Sequence, residues 1–325
     1  MKRKIILSYD YELFFGLRSG TVQKSIIEPT NRLLNAMDAN EQKGNFFVDY
    51  LMLKYLKEVN TPQTISDLKL IENQLIDIVR RGHRVELHIH PHWVDAKYNG
   101  DGTWDFSDYH HYSLCSFEEK DIIRMFVEGV NLLTDIVRVA NPQYNIVAFR
   151  AGGWTVQPFI KLKQAFKESG IKVDSSVSIG SYNKNRFYEY DFRNVNTTCK
   201  YLYRFSDDIT IENPEGDYIE APISSYHRGR FNKFVDAVYR RLHKTSNKIS
   251  DGTHLRNDIP ASPKTNVAML MMSWMSPFTV LDAIRKINSP ILVLIDHPKD
   301  YSPSNDECLK ALSKITESIT YLDLL

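Results

Sequence analysis

Short apolar runs alternate with segments of helical period along most of this chain, and that alternation narrows it to one fold class. The runs at Lys4–Ser8, Asn45–Val48, Arg84–His88, Ile146–Arg150, Ile171–Asp174, Tyr218–Ala221, Val267–Met272 and Ile291–Ile295 are predicted strands. Between them, Pro29–Met37, Ser66–Arg80, Phe117–Val139, Val156–Ser169, Phe278–Ile287 and Asp306–Ile315 carry apolar residues at helical spacing. Strand and helix in alternation call for a parallel sheet joined by right-handed crossovers. Seven or eight such units predict an α/β fold, a distorted (β/α)7–8 TIM-like barrel, rather than an open sheet. No repeat or linker divides the chain, so residues 1–325 are expected to form a single domain. Two segments interrupt the rhythm, at about 95–116 and 227–263. The second contains a basic amphipathic helix with Phe231, Phe234, Val235, Val238 and Leu242 on its apolar face.

In a β/α barrel the site lies at the carboxyl ends of the strands. Those ends carry Asp10 and Glu12, His88, Arg150, Asp174 and His297. The densest signal follows the third strand, where His88, His90 and His92 fall within five residues of a chain holding ten histidines. Neutral imidazole is the commonest protein ligand for zinc, and a catalytic zinc site needs about three protein donors plus an open position. Asp10 and Glu12, at i and i+2 of one strand, share a face if the strand persists. One carboxylate of such a pair could bind metal while the other takes a proton from water. Arg150 precedes Ala151-Gly152-Gly153 and could orient a carboxylate through its forked donors. His297, inside Asp296-His297-Pro298, suits a general acid for an amine leaving group.

Charge and cysteine usage exclude other readings. Lys and Arg total 41 against 40 Asp and Glu, which gives no electrostatic footprint for nucleic acid. Cys115, Cys199 and Cys308 are scattered and odd in number, so neither a disulfide framework nor a thiolate metal site is expected. The basic start Lys2-Arg3-Lys4 is followed by too short an apolar run for a secretory signal, and no stretch approaches a membrane span. A cytoplasmic protein is the expectation, with peripheral contact to an anionic membrane left open by the basic helix.

Taken in chain order, these elements resemble the polysaccharide deacetylases, the NodB-homology group of carbohydrate esterase family 4. Ser8-Tyr9-Asp10 is similar to the family's Thr-Phe-Asp-Asp element, and Gly44-Asn45-Phe46-Phe47-Val48 to its second strand. Gly82-His83, His88 and His92 match its Gly-His…His-x-x-x-His motif; Phe149-Arg150 resembles its arginine motif and Leu294–His297 its last histidine motif. The resemblance spans residues 3–300 and implies a distorted barrel that hydrolyses acetyl groups from sugars. It implies a metal held by His88, His92 and a carboxylate, a second carboxylate as base, Arg150 steadying the base, and His297 as acid. The usual adjacent aspartates are replaced by Asp10-Tyr11-Glu12. Position matching makes Asp10 the base with Glu12 on the metal, and the reverse stays open, so both are candidates for either role.

The leading expectation is therefore a hydrolase of non-peptide C–N bonds that binds a divalent metal, Zn2+ ahead of Co2+ or Ni2+. Its substrate would be an N-acetylated sugar precursor, nucleotide- or lipid-linked, in surface-polysaccharide biosynthesis. Trp93, Trp154 and Tyr226 are candidate substrate contacts, and Asp174 a further catalytic candidate. An allantoinase-like hydrolase of another C–N bond and a non-catalytic carbohydrate-binding barrel are the alternatives.

Overall fold

Burial on both faces explains why the first strand reads as an almost unbroken apolar run. Strands of a parallel sheet are covered on one side by helices and on the other by the barrel interior. The computed structural model describes residues 2–184, 187–243, 249–254 and 267–325. Its main sheet contains β1 (Arg3–Tyr11), β2 (Gly44–Asp49), β3 (Arg84–Ile89), β4 (Ala148–Ala151), β5 (Val173–Asp174), β6 (Tyr203–Phe205), β7 (Tyr218–Glu220), β8 (Ile291–Asp296) and β9 (Thr316–Ser318). The order is β6-β7-β5-β4-β3-β2-β1-β8, with β9 alongside the first residues of β1. All pairs are parallel except β6 with β7.

The sheet curls into an incompletely closed barrel. Its ends meet through Ser224, just beyond β7. The Ser224 N–H donates to the Val293 carbonyl at 3.0 Å, and the Val293 N–H donates to Ser224 Oγ at 2.9 Å. The predicted strand at Val267–Met272 meets the backbone of β8 at one point, where Leu270 donates its N–H to the Ser224 carbonyl at 2.7 Å and accepts the Ile295 N–H at 3.1 Å. Its first part, Val267–Met269, pairs antiparallel with Ser225–His227.

Two apolar layers lie on either side of the sheet. Inward, Ile6, Phe47, Val173, Ile219 and Val293 pack with Tyr321, which closes the lower end of the barrel from the C-terminal turn Tyr321–Leu324. Outward, Ile5, Leu7, Tyr9 and Tyr11 join a larger cluster with the helices. Those helices are α1 (Glu28–Asp38), α2 (Tyr50–Val59), α3 (Pro62–Arg80), α4 (Glu119–Val137), α5 (Lys163–Ser169), α6 (Arg230–His243), α7 (Pro277–Lys286) and α8 (Pro303–Ser313). The α2 helix lies outside the periodic segments read from sequence. Its run Tyr50-Leu51-Met52-Leu53 is buried all round, which blurs a one-sided helical pattern. The expected helix at Val156–Ser169 shrinks to α5, because Pro158 and a short 3-10 turn at Phe159–Lys161 precede it. The first insertion folds back with Phe106, Tyr109, Tyr112 and Leu114 buried. Of the second, residues 244–248 and 255–263 lie outside the described residues.

The leading histidine of the Gly82-His83 pair has a structural task. Its Nδ1 accepts the Gly44 N–H at 3.0 Å, pinning the start of β2, and Nε2 faces Asp38 Oδ1 at 3.1 Å. Burial holds this imidazole neutral, with its pKa near 4 despite the pull of Asp38. An unfolded histidine takes up a proton near pH 6.5, so the unfolded chain binds more protons between those values and stability drains as pH falls. Lowering pH from 7 to 5 should remove roughly 1–2 kcal/mol through this residue. Urea unfolding at the two pH values checks it: His83→Asn, whose amide oxygen can take the Nδ1 role without titrating, should lose that part of the pH dependence.

Candidate active site

Strand alternation carries the polar residues to one place. Along β1 the inward positions are Ile6, Ser8 and Asp10, and Glu12 continues the series one residue beyond the strand. Along β3, Glu86 and His88 face inward, and His90, still extended at φ −106° and ψ 91°, adds the next inward side chain. Pro91 then opens a 3-10 turn over Pro91–Asp95 and swings His92 off that line.

Glu12 Oε2 lies 3.0 Å from His88 Nε2 and 2.6 Å from His90 Nε2. Ligand atoms of Glu12, His88 and His90 fall within 4.8 Å of one another, all buried, and could hold a divalent metal ion. Three details fit a cation there. His88 Nδ1 donates to the Arg150 carbonyl at 2.6 Å, which leaves the Nε2 lone pair for the site, as outer partners do for metal-binding histidines. His90 turns the same nitrogen, Nε2, to the same Glu12 oxygen, with its Nδ1 facing away toward Gly152. Burial lowers the His88 pKa, but Asp10 and Glu12 outweigh it and raise it to about 8, the mark of a site that favours positive charge. One carboxylate and two imidazoles suit zinc and its neighbours.

Beside this group stands the second carboxylate. Arg150 Nη1 donates to Asp10 Oδ1 at 2.7 Å. Its other donors reach the Ser175 carbonyl, Ser8 Oγ, Ser175 Oγ and Tyr321 OH at 2.8 to 3.2 Å, and its guanidinium lies 4.3 Å over the Phe47 ring. Burial opposes the charge on Asp10, yet Arg150 above all, then His88 and His297, hold its carboxyl below the usual range. Glu12 is likewise kept well below that range against burial by His90 and Lys299. His297 Nε2 stands 3.7 Å from Asp10 Oδ2 and 3.6 Å from Glu12 Oε1. A cleft of about 230 Å³ opens over Asp10, Glu12, His90 and His297, walled by Phe15, Tyr112, Trp154 and Tyr188.

The resemblance paired His88 with His92; the geometry brings His88 together with His90. His92 is fully buried with both ring nitrogens unpartnered, stacked on Tyr112 and ringed by Phe15, Phe106 and Tyr109. Asp10 faces Arg150 and is not among the three gathered ligands. Asp174 lies outside the cleft, buried against the N–H and hydroxyl of Ser176. Trp93 is sealed in the core, donating to Asp49 Oδ2 at 2.6 Å, so it cannot meet substrate. Tyr226 is buried with its hydroxyl against Met275 Sδ and lines a different groove. Trp154 does line the cleft, held at φ 60° after Gly153 at φ 59°. That bend lets backbone pass under the imidazole: a Cβ on Gly152 would sit 2.6 Å from His90 Nδ1.

Two site residues were not legible as such. His90 had a signal, since i and i+2 on an extended segment share a face. Lys299 had none: its buried Nζ meets Glu12 Oε1 at 2.7 Å and the Leu13 carbonyl at 2.8 Å, brought there by the 3-10 turn Pro298–Asp300 that follows β8.

No protein-family model and no curated protein matches the sequence. Among solved structures, a 4-α-glucanotransferase from Thermococcus litoralis overlays with a TM-score of 0.54 at 13% identity, over 99% of this chain and 40% of that one. A polysaccharide deacetylase from Bacillus cereus gives 0.44 at 10% identity, over 98% and 92% of the two chains. A family 4 carbohydrate esterase from Streptomyces lividans gives 0.42 at 9%, over 97% and 91%. At these identities the glucanotransferase overlay speaks for the fold alone, and the two weaker ones carry no argument.

Metal analysis after dialysis against micromolar Zn2+ tests the ligand set. Glu12→Ala, His88→Ala and His90→Ala should each cut bound metal at least tenfold, the usual scale for losing a ligand or its support. His92→Phe should keep it. Gly152→Ala should weaken it by pushing the His90 ring aside.

Proposed function

We propose that this protein is a divalent-metal-dependent hydrolase that removes the acetyl group from an N-acetylated sugar. The observation that carries this reading is the pairing of Asp10 with Arg150 beside the Glu12, His88 and His90 group, with His297 facing both carboxylates. It supports a division of labour in which Glu12 is the ligand and Asp10 the base. Zinc fits the donors best, with cobalt and nickel as substitutes.

A divalent ion in that group would lower the pKa of a water and polarise an amide carbonyl. Asp10, ionised by its contact with Arg150, accepts the proton of the attacking water. Arg150 uses its remaining donors on Ser8, Ser175 and Tyr321, so it holds Asp10 at a set angle without approaching substrate. His297, on the opposite side of the carboxylates, delivers a proton to the departing amine. Phe15 and Tyr112 exclude water from one wall, and Trp154 offers a ring face to a sugar. The small cleft suits a single sugar residue better than a polymer strand. That favours a precursor in surface-polysaccharide biosynthesis, carried on a nucleotide or lipid in the cytoplasm. Among the described residues, no helix is long and apolar enough to cross a membrane.

Lys299 favours a second reading. Its buried ammonium, 2.7 Å from Glu12, supplies a positive charge of its own. The same pocket could then open a cyclic amide or ureide without metal, Asp10 again taking the proton.

Acetate release from N-acetylated nucleotide sugars separates the two. Asp10→Asn should lower kcat about 10²–10⁴-fold while leaving metal content unchanged. Chelator treatment should abolish release and added Zn2+ should restore it; full activity in metal-free protein would favour the second reading.

A further inference from the structure

The α6 helix is mounted inside out. Its buried residues are polar: Asn232 is 3% exposed and Asp236 is 0%. Asn232 Nδ2 donates to Asp282 Oδ2 at 2.8 Å, Asp236 Oδ1 accepts the Ser276 N–H at 2.9 Å, and Asp236 Oδ2 pairs with Arg228. These bonds fasten the helix to α7 and its N-terminal loop by its polar side. The large apolar residues consequently point outward, with Phe231 at 64%, Phe234 at 66%, Val238 at 41% and Leu242 at 73% exposed. At 100° per residue these positions form one stripe along the helix. Phe278 of α7, 47% exposed and 6.0 Å from the Phe231 ring, widens it.

Charge identifies what covers the stripe. Arg230, Lys233 and Arg241 are exposed and run along one flank. The helix's single acidic residue, Asp236, is buried and already paired. A second copy of the chain would bring the same cationic flank with no exposed acid on the helix to meet it. An anionic lipid surface supplies counter-charge along the whole flank and an acyl layer for the stripe, which is how amphipathic helices lie in a membrane interface.

We propose that α6 is a docking surface for an anionic membrane, entered by Phe231, Phe234, Val238 and Leu242 and attracted by Arg230, Lys233 and Arg241. The surface is tied to the catalytic rim. Arg240 Nη1 donates to the Trp274 carbonyl at 3.2 Å, and neighbouring Ser273 holds Asp296 through its N–H at 2.8 Å and its hydroxyl at 2.5 Å. Asp296 precedes His297, so these bonds link the helix to the proposed acid whichever C–N bond is cleaved there.

Co-sedimentation of the full chain with sucrose-loaded vesicles tests the assignment. Vesicles of phosphatidylcholine with phosphatidylglycerol at about 30% should bind at least tenfold more protein than pure phosphatidylcholine, and raised salt should reduce the difference. The double variant Phe234→Ser/Leu242→Ser should lose binding while its melting temperature and metal content stay unchanged, because both residues are exposed. Arg230→Glu/Lys233→Glu/Arg241→Glu should remove the preference for anionic lipid. Equal partition to both vesicles, or no partition to either, would overturn the proposal. So would a concentration-dependent dimer of the free protein that the double variant abolishes, since a second copy would then own the stripe.

Discussion

A guanidinium buried without solvent contact sits at the junction of the barrel. Arg150 is 0% exposed, and a charge so placed is tolerable only when paired and fully hydrogen-bonded. Its side chain meets Asp10 and Ser8 from β1, Ser175 after β5 and Tyr321 from the C-terminal turn. Its own carbonyl orients His88. The same residue therefore sets the angle of the proposed base and the tautomer of a proposed ligand. Breaking such a buried pair generally costs about 3–5 kcal/mol, so fold and chemistry share this interaction.

The barrel interior is divided by height. Its lower part is mainly apolar, with Ile6, Phe47, Val173, Ile219 and Val293 closed by Tyr321, and the inward Glu86 at that level is paired with Arg84. Above it the inward positions turn polar and stay connected, from Arg150 to Asp10 and from Glu12 to His88, His90 and Lys299. Each carboxylate there has its own partners that keep it ionised, Arg150 for Asp10 and chiefly His90 with Lys299 for Glu12. Two acids two residues apart at the end of β1 can then stay charged close together, which would otherwise raise one of their pKa values. The aromatic insertion covers this layer through Tyr112 and Phe106, which pack on His92 beside the His90 ring.

Much of this was legible because strand periodicity is local. The runs ending in Asp10, His88, Arg150 and His297 mark the carboxyl ends of β1, β3, β4 and β8, and a parallel sheet brings those ends together. The same periodicity, followed through His90, points to the His88–His90 pair, whereas matching His-x-x-x-His selected His92. The difference lies in Pro91, which ends the extended segment and starts a turn. The amphipathic pattern of α6 was equally visible, but its direction was not. Apolar faces ordinarily turn inward, and here Asn232 and Asp236 find buried partners on α7 and its loop that reverse the helix.

The amino-acid sequence by itself determined the strand–helix alternation, the barrel class and the set of titratable groups at the strand ends. These follow from the periods of two and 3.6 residues and from proline and glycine chemistry, all of which act between near neighbours. The tertiary structure alone decided that Glu12 rather than Asp10 meets the imidazoles, that Lys299 enters the site, that Trp93 and Tyr226 are core and that Ser224 closes the sheet. Those outcomes depend on contacts between residues up to 287 positions apart, as between Glu12 and Lys299. Which of several equally polar side chains meets which is set there by backbone crossovers and by the need to pair every buried charge.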